Sequence, residues 1–157
     1  MVFDLAGLVR ALVASQVEFV VVGGIAVAAH SVVRATEDLD LVPDPDAANL
    51  NRLLDFLERI DAHLLLRPDR RVDRDVRAAV AHGRNLTVTT RLGDLDVVQA
   101  LPGVPSYVDL VADALEVELE GTPFLVCSRA HLIAMKRARG SALDQADLER
   151  LEDDSQG

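Results

Sequence analysis

The stretch of the chain that decides its fold runs from Val22 to Val42 and reads VGGIAVAAHSVVRATEDLDLV. Two glycines end an apolar run that begins at Val17, and thirteen residues then separate Gly24 from Asp38. That gap is long enough for a helix that leaves one strand and returns to its neighbour. We therefore predict a buried strand up to the glycines, a helix that starts at them, and a second strand over 38–42.

Two aspartates lie inside the second predicted strand. Asp38 and Asp40 are two residues apart, so both project to one face of the strand, whereas Leu39 and Leu41 turn toward the core. Neighbouring carboxylates repel each other and would destabilise a strand. The arrangement therefore favours a bound divalent cation as the compensating charge.

The rest of the chain alternates between helical and strand patterns. Apolar spacing predicts helices over 5–13, 46–60, 107–115 and 128–137, with a last helix from 141. Strands are predicted over 62–66, 115–120 and 123–126, together with a hairpin formed by 85–91 and 95–99, and the charged segment 67–77 is predicted to be a loop. This order predicts an α/β (α+β) fold with a mixed sheet of about five strands flanked by helices. We expect a single domain over 1–152 and an acidic tail over 153–157.

Composition excludes several classes of protein. The net charge of −10 over 157 residues argues against a general nucleic-acid binder, although it does not exclude a local basic patch. No apolar run is long enough to cross a bilayer, and the first residues lack the features of a signal peptide, so we expect a cytoplasmic protein without membrane contact. The single cysteine, Cys127, excludes an intrachain disulfide. So aliphatic a chain is also compatible with a homodimer.

A third carboxylate on an adjoining strand would complete a site for two metal ions. Asp96 is placed for that role, and Asp94 lies on the same face but nearer the turn, so we rank it second. Glycines such as Gly23 and Gly24 let a phosphate approach backbone N–H groups without a Cβ in the way. The residues alone therefore predict a site where Mg²⁺ and a nucleotide phosphate meet.

These residues resemble a known family. Gly-Gly, a helix-length gap, the sequence Arg34-x-Thr36-x-Asp38-Leu39-Asp40 and a later strand aspartate are similar to the nucleotidyltransferase fold of the DNA polymerase β superfamily. The resemblance is strongest to small prokaryotic nucleotidyltransferases, including toxins of the AbiEii/MenT type. Many relatives carry serine at the position of Gly24, where this chain offers only backbone donors.

A second resemblance lies near the end of the chain. Relatives carry a helix with a lysine, a short break and an Asp-x-x-Asp-Leu helix, which match Lys136 and the pair Asp144 and Asp147. The resemblance implies that Lys136 contacts nucleotide phosphates and that the two aspartates support the site. An exposed helix charge for Lys136, a capping role for Asp144 and an ion pair within the helix for Asp147 are the alternatives.

The resemblance implies an enzyme that moves a nucleoside monophosphate from an NTP to a hydroxyl. On it, Asp38, Asp40 and Asp96 hold Mg²⁺, or Mn²⁺, and carry the catalysis. Nucleotide contacts are assigned to Gly23, Gly24, Arg34, Thr36, Lys136 and Asp147, although Arg34 and Thr36 could equally have a structural role. The acceptor is expected to be a tRNA end or a protein, as in a toxin with a cognate antitoxin. A small hydroxylated molecule such as an antibiotic, or a non-catalytic nucleotide-binding module, is the alternative.

Overall fold

The computed structural model describes residues 3–30, 37–100, 103–140 and 142–155. Its elements, in chain order, are α1 (Leu5–Ala14), β1 (Phe19–Val22), α2 (Gly23–Ala29), β2 (Asp38–Pro43), α3 (Ala47–Arg59), β3 (His63–Leu64), α4 (Arg74–Ala81), β4 (Leu86–Thr90), β5 (Gly93–Val97), α5 (Tyr107–Asp113), β6 (Leu115–Leu119), β7 (Thr122–Val126), α6 (Arg129–Arg139) and α7 (Ala142–Ser155). Helices and strands alternate as the sequence predicts, and the mixed α/β class is confirmed.

One mixed sheet organises these elements, in the order β3-β4-β5-β2-β1-β7-β6. The described residues contribute seven strands, more than the expected number of about five. Strand β2 runs antiparallel to β1 and parallel to β5, while β4 pairs antiparallel with β5. Strand β2 therefore lies at the centre of the sheet, with the end of β1 on one side of it and β5 on the other.

The core is aliphatic, as the composition requires. Helix α2 packs against β1 and β2, α5 against β1, and α1 against β7. Leu39 and Leu41 of β2 are fully buried in this core, whereas Asp38 and Asp40 are half-buried on the other face. The alternation predicted for this strand is therefore confirmed. Among the described residues, no helix has the length and apolar character needed to cross a membrane.

Cys127 follows β7 and is fully buried. Burial raises the pKa of its thiol to about 12, because a low-dielectric surrounding disfavours the charged thiolate. The thiolate is the reactive form of cysteine. The thiol of Cys127 therefore serves as a small apolar packing group.

One predicted boundary is wrong. The segment 67–77 was expected to be a loop, but α4 begins at Arg74, where Asp73 accepts a hydrogen bond from the backbone of Val76 and caps the helix. Only Val76 and Val80 of α4 are buried, so the apolar face of this helix consists of two residues one turn apart. The charged residues around them obscure the helical period in the sequence. Helix α7 continues to Ser155, so it includes the first residues of the acidic tail expected over 153–157, and that domain boundary stays a prediction.

Candidate active site

Sheet register places the predicted carboxylates side by side. Asp40 of β2 lies directly opposite Asp96 of β5, and Asp38 lies opposite Asp94. Strand alternation turns all four side chains to one face, and each is half-buried. The structure therefore brings together Asp38, Asp40 and Asp96, the three residues that the sequence assigns to metal binding and catalysis.

The protonation of Asp40 reports how strongly these carboxylates interact. Burial, together with the charges of Asp38 and Asp96 and a side-chain hydrogen bond with Asp38, raises the pKa of Asp40 to about 7. Lys136 acts in the opposite direction on the same group. Near neutral pH a substantial fraction of Asp40 therefore carries a proton, and its side chain is hydrogen-bonded to Asp38. A divalent cation could replace that proton.

The pKa of Asp96 is also raised, chiefly by burial and further by the charge of Asp38. A hydrogen bond of 2.8 Å donated by the Thr87 hydroxyl and the charge of Arg139 both oppose this increase. Asp96 therefore has one oxygen fixed by a neighbouring strand and a cationic side chain near it.

Gly23 stands against the carboxylates at the junction of β1 and α2. Its φ of +70° is in the region that favours glycine, and a Cβ there would lie 1.9 Å from Oδ2 of Asp40. A side chain at this position would therefore strain the backbone and displace the carboxylate. Gly24 follows as a buried residue of α2. The first glycine of the Gly-Gly pair, Gly23, is thus explained by the close approach of the backbone to Asp40.

Lys136 reaches the same place from α6. Its side chain is almost fully buried, at 4% exposure, and its Nζ lies 3.4 Å from Oδ2 of Asp147, which is fully buried in α7. A buried carboxylate beside a lysine stabilises the charged ammonium. Asp147 therefore lies behind Lys136 and supports it. A direct contact of Asp147 with nucleotide stays a prediction.

A cavity of about 60 Å³ joins these groups. It is lined by Val22, Gly23, Asp40, Asp96, Val98, Val104, Leu132, Met135, Lys136 and Arg139. Its volume suits ions and a few waters, whereas a nucleotide would extend beyond it. Four residues predicted from the sequence, on four different elements, thus line one space.

Two predicted site residues and one supporting residue cannot be placed. Arg34 and Thr36 lie outside the described residues, and the side chain of Asp144 lies outside them as well. The sequence reasoning in turn missed Thr87 and Arg139. A signal was present for Arg139, which is one helical turn beyond Lys136. The pairing of Thr87 with Asp96 depends on the observed hairpin register, in which the turn begins one residue earlier than in the predicted hairpin.

The donor atoms of the site suit a divalent cation in their chemistry. Within 3–30, 37–100, 103–140 and 142–155, no group of three or more His, Cys, Asp or Glu side chains already stands in an arrangement that could hold a metal ion. The chemistry of the donors nevertheless fits, because carboxylate oxygens are the ligands that Mg²⁺ prefers. Asp40 also keeps a proton near neutral pH because it is buried and because its negative neighbours are close. The donor chemistry of Asp38, Asp40 and Asp96 therefore fits a divalent cation, although their side chains do not stand in a coordinating arrangement in this structure.

Comparison with known proteins identifies the fold. No protein-family model matches the chain, and no curated protein matches it. Among solved structures, the lincosamide antibiotic adenylyltransferase LnuA, bound to lincomycin, is similar with a TM-score of 0.65 and 16% identity, over 95% of this chain and 94% of that one. A candidate nucleotidyltransferase from Thermotoga maritima is similar with a TM-score of 0.51 and 14% identity, over 94% of this chain and 86% of that one. The chain therefore has the fold of nucleotidyltransferases, as the sequence predicted.

Proposed function

We propose that the protein is an Mg²⁺-dependent nucleotidyltransferase that moves a nucleoside monophosphate from an NTP to a hydroxyl group. The observation that carries this proposal is the register of β2 and β5, which sets Asp40 opposite Asp96 with Asp38 on the same face. A glycine that contacts Asp40 and a buried lysine complete the same cavity. Carboxylates, a backbone turn and a cation are the groups that phosphoryl chemistry needs.

Each side chain has a distinct part in this proposal. Asp38 and Asp40 would hold the Mg²⁺ ion, and Mn²⁺ could take its place. Bound Mg²⁺ would supply Lewis-acid polarisation of the phosphate and neutralise charge on the leaving pyrophosphate. Asp96 would act either as a third metal ligand or as the base that takes the proton of the acceptor hydroxyl.

The proposed transfer forms one bond to phosphorus and breaks another. The acceptor oxygen forms a bond to the α-phosphorus of the NTP as the bond from that phosphorus to the bridging oxygen breaks. Pyrophosphate leaves, and the acceptor proton passes to Asp96. Lys136 would contact the phosphates with the support of Asp147, and backbone N–H groups at Gly23 and Gly24 would contact them as well. Contacts from Arg34 and Thr36 remain part of the proposal.

The acceptor that the structure favours is a small hydroxylated molecule. Four arginines of the segment 67–77, which could have formed a basic patch, lie beside carboxylates: Arg67 with Asp69, Arg70 with Asp73, Arg71 with Asp61 and Arg77 with Asp55. Ion pairing of this kind cancels the field that would attract a phosphate backbone. The similarity to an antibiotic adenylyltransferase over nearly the whole of both chains supports the same choice.

A cavity at the same edge of the sheet gives such an acceptor a place. It has a volume of about 290 Å³ and is lined by Phe3, Glu37, Gly93 and Asp94. That volume is near the lower limit for pockets that bind small molecules. Because Asp94 shares its face with Asp96, a molecule there would lie next to the proposed base.

A tRNA or protein acceptor is the second candidate. It is favoured by the resemblance of the two sequence motifs to AbiEii/MenT-type toxins, and by the pairing of Lys136 with Asp147, which joins the parts of the second motif. A cognate antitoxin is a further prediction of that resemblance, and a homodimer stays a prediction from the aliphatic composition. A non-catalytic nucleotide-binding module with the same fold is the third.

The decisive experiment is incubation with each labelled NTP, Mg²⁺ and three acceptors: lincomycin, a tRNA pool and fractionated cell extract. We expect label in a small-molecule product, and its loss in an Asp38→Asn/Asp40→Asn protein. Glu118→Gln, which changes an exposed carboxylate on β6, is the matched control and should label normally.

Three outcomes would contradict parts of this proposal. Label on tRNA or on protein alone would replace the small acceptor by the second candidate. Nucleotide that binds by calorimetry without turnover would support the non-catalytic module. Undiminished labelling by the double variant would reject the assigned carboxylates.

A further inference from the structure

Thr87 is the residue of β4 that lies directly across from Asp96. Its hydroxyl Oγ1 donates a hydrogen bond of 2.8 Å to Oδ1 of Asp96. The bond crosses from one strand to its neighbour, on the face that carries the clustered carboxylates. The sheet itself therefore holds one oxygen of Asp96 in place.

We propose that Thr87 is a positioning residue, which fixes the carboxylate of Asp96 so that its second oxygen, Oδ2, is offered to the cavity. This inference rests on the proposed function, in which Asp96 binds a cation or takes a proton. The terminal torsion of an aspartate is broad, so a carboxylate without an orienting partner samples many angles. Groups that hydrogen-bond a ligating carboxylate orient it and tune its affinity.

The neighbouring pair on the same strands shows that this bond is not a general feature of the sheet. Thr89 lies across from Asp94 in the same register and faces the same side. In the part of the chain that the structure describes, no hydrogen bond joins Thr89 to Asp94. The hydroxyl of the next threonine, Thr90, donates to the carbonyl of Gly93 at the start of β5. A threonine opposite an aspartate is therefore not sufficient. The orienting bond is made to Asp96, which lines the cavity with Asp40 and Lys136, and not to Asp94, which lines the other cavity.

The chain supplies its own control for this proposal. Thr87→Val removes the hydroxyl with little change of shape, Thr87→Ser retains it, and Thr89→Val makes the same change one pair away. Binding of Mn²⁺ alone to the full chain, measured by calorimetry, is the first readout. We expect Thr87→Val to weaken Mn²⁺ binding by about tenfold or more, as is typical when a group that orients a ligand is lost. Thr87→Ser should restore binding, and Thr89→Val should match the unsubstituted protein.

Turnover with labelled NTP gives the second readout. Because Thr87 does not line the cavity, its loss should lower kcat by about tenfold to a hundredfold and leave the KM for NTP nearly unchanged. Circular dichroism of each variant checks that the fold is retained.

Each result decides the inference. Unchanged Mn²⁺ affinity and kcat in Thr87→Val would overturn the positioning role, and so would an equal loss in Thr89→Val or a failure of serine to rescue. An unsubstituted protein that binds no Mn²⁺ would also overturn it. Mn²⁺ binding that depends on Thr87 in a protein without nucleotidyl transfer would instead retain the positioning role and reject the proposed function.

Discussion

Replacing Asp40 by asparagine should make the metal-free protein more stable above neutral pH while it abolishes activity. The pKa of this carboxyl rises from 3.8 to about 7 in the folded chain, mainly through burial and then through Asp38 and Asp96. The folded state therefore binds this proton more tightly than the unfolded state does. Linkage then requires the free energy of unfolding to fall as the pH rises from about 4 to about 7.

The size of the effect follows from the shift. A difference of about three pKa units at about 1.4 kcal/mol each gives a ceiling of about 4 kcal/mol, reached above pH 7 and absent below pH 4. The asparagine side chain carries no charge, so the variant should recover much of this free energy at pH 8. For a domain of this size the ceiling corresponds to a rise in Tm of about 8–16 °C.

The assay is thermal or urea unfolding, followed by circular dichroism in EDTA at pH 4, 6 and 8. Asp94→Asn is the matched control, because it removes one carboxylate from the same face and leaves the other three in place. The gain in the free energy of unfolding at pH 8 should be smaller for Asp94→Asn than for Asp40→Asn. An Asp40→Asn protein that is no more stable than the unsubstituted protein at pH 8, or whose gain does not change with pH, would refute the reasoning. Added Mg²⁺ should stabilise the unsubstituted protein and have much less effect on the variant.

Two further predictions concern the backbone and the buried ion pair. Gly23→Ala should lower the free energy of unfolding by about 1–3 kcal/mol because of the positive φ at this position, and Gly83→Ala, at φ +86°, should have a similar cost. Only Gly23→Ala should also abolish transfer, because its Cβ would meet Asp40 whereas the space beside Gly83 is open. Labelled-NTP turnover and urea unfolding of both variants check this, and an active Gly23→Ala protein would contradict it. Lys136→Met should destabilise the fold by about 3–5 kcal/mol, because it leaves the carboxylate of Asp147 buried beside an apolar side chain. Adding Asp147→Leu should restore the stability measured by urea unfolding but should not restore activity. Restored activity in the double variant would reject a phosphate contact for Lys136.

Much of the site was predictable because it depends on short-range patterns. The two-residue period of a strand places Asp38 and Asp40 on one face. Two consecutive glycines indicate that another group of the protein or a ligand lies close to the backbone there. Their contacts in the structure follow from the antiparallel pairing of β1 with β2, which sets Val22 opposite Asp40. The register of β2 against β5 could not be derived, because these strands are more than fifty residues apart and no local rule sets their offset.

The remaining parts of the site depend on how distant elements pack. The contact of Lys136 with Asp147 requires α6 and α7 to cross at one angle, which the sequence between them does not specify. Helix α4 was missed for a different reason: its buried stripe consists of Val76 and Val80, and the surrounding arginines and aspartates obscure the helical period. Arg77 of α4 forms ion pairs with Asp55 and Glu58 of α3, so charged contacts as well as apolar burial join this helix to its neighbour.

The buried Cys127 has a practical consequence for experiments on motion. With its thiol pKa near 12 and no exposed surface, it should not react with maleimides at pH 7. A cysteine introduced at an exposed position such as Ala130 would then be the sole attachment point for a fluorophore or spin label. Displacement of α6 on nucleotide addition could thus be followed in a chain that differs from the natural one by a single side chain.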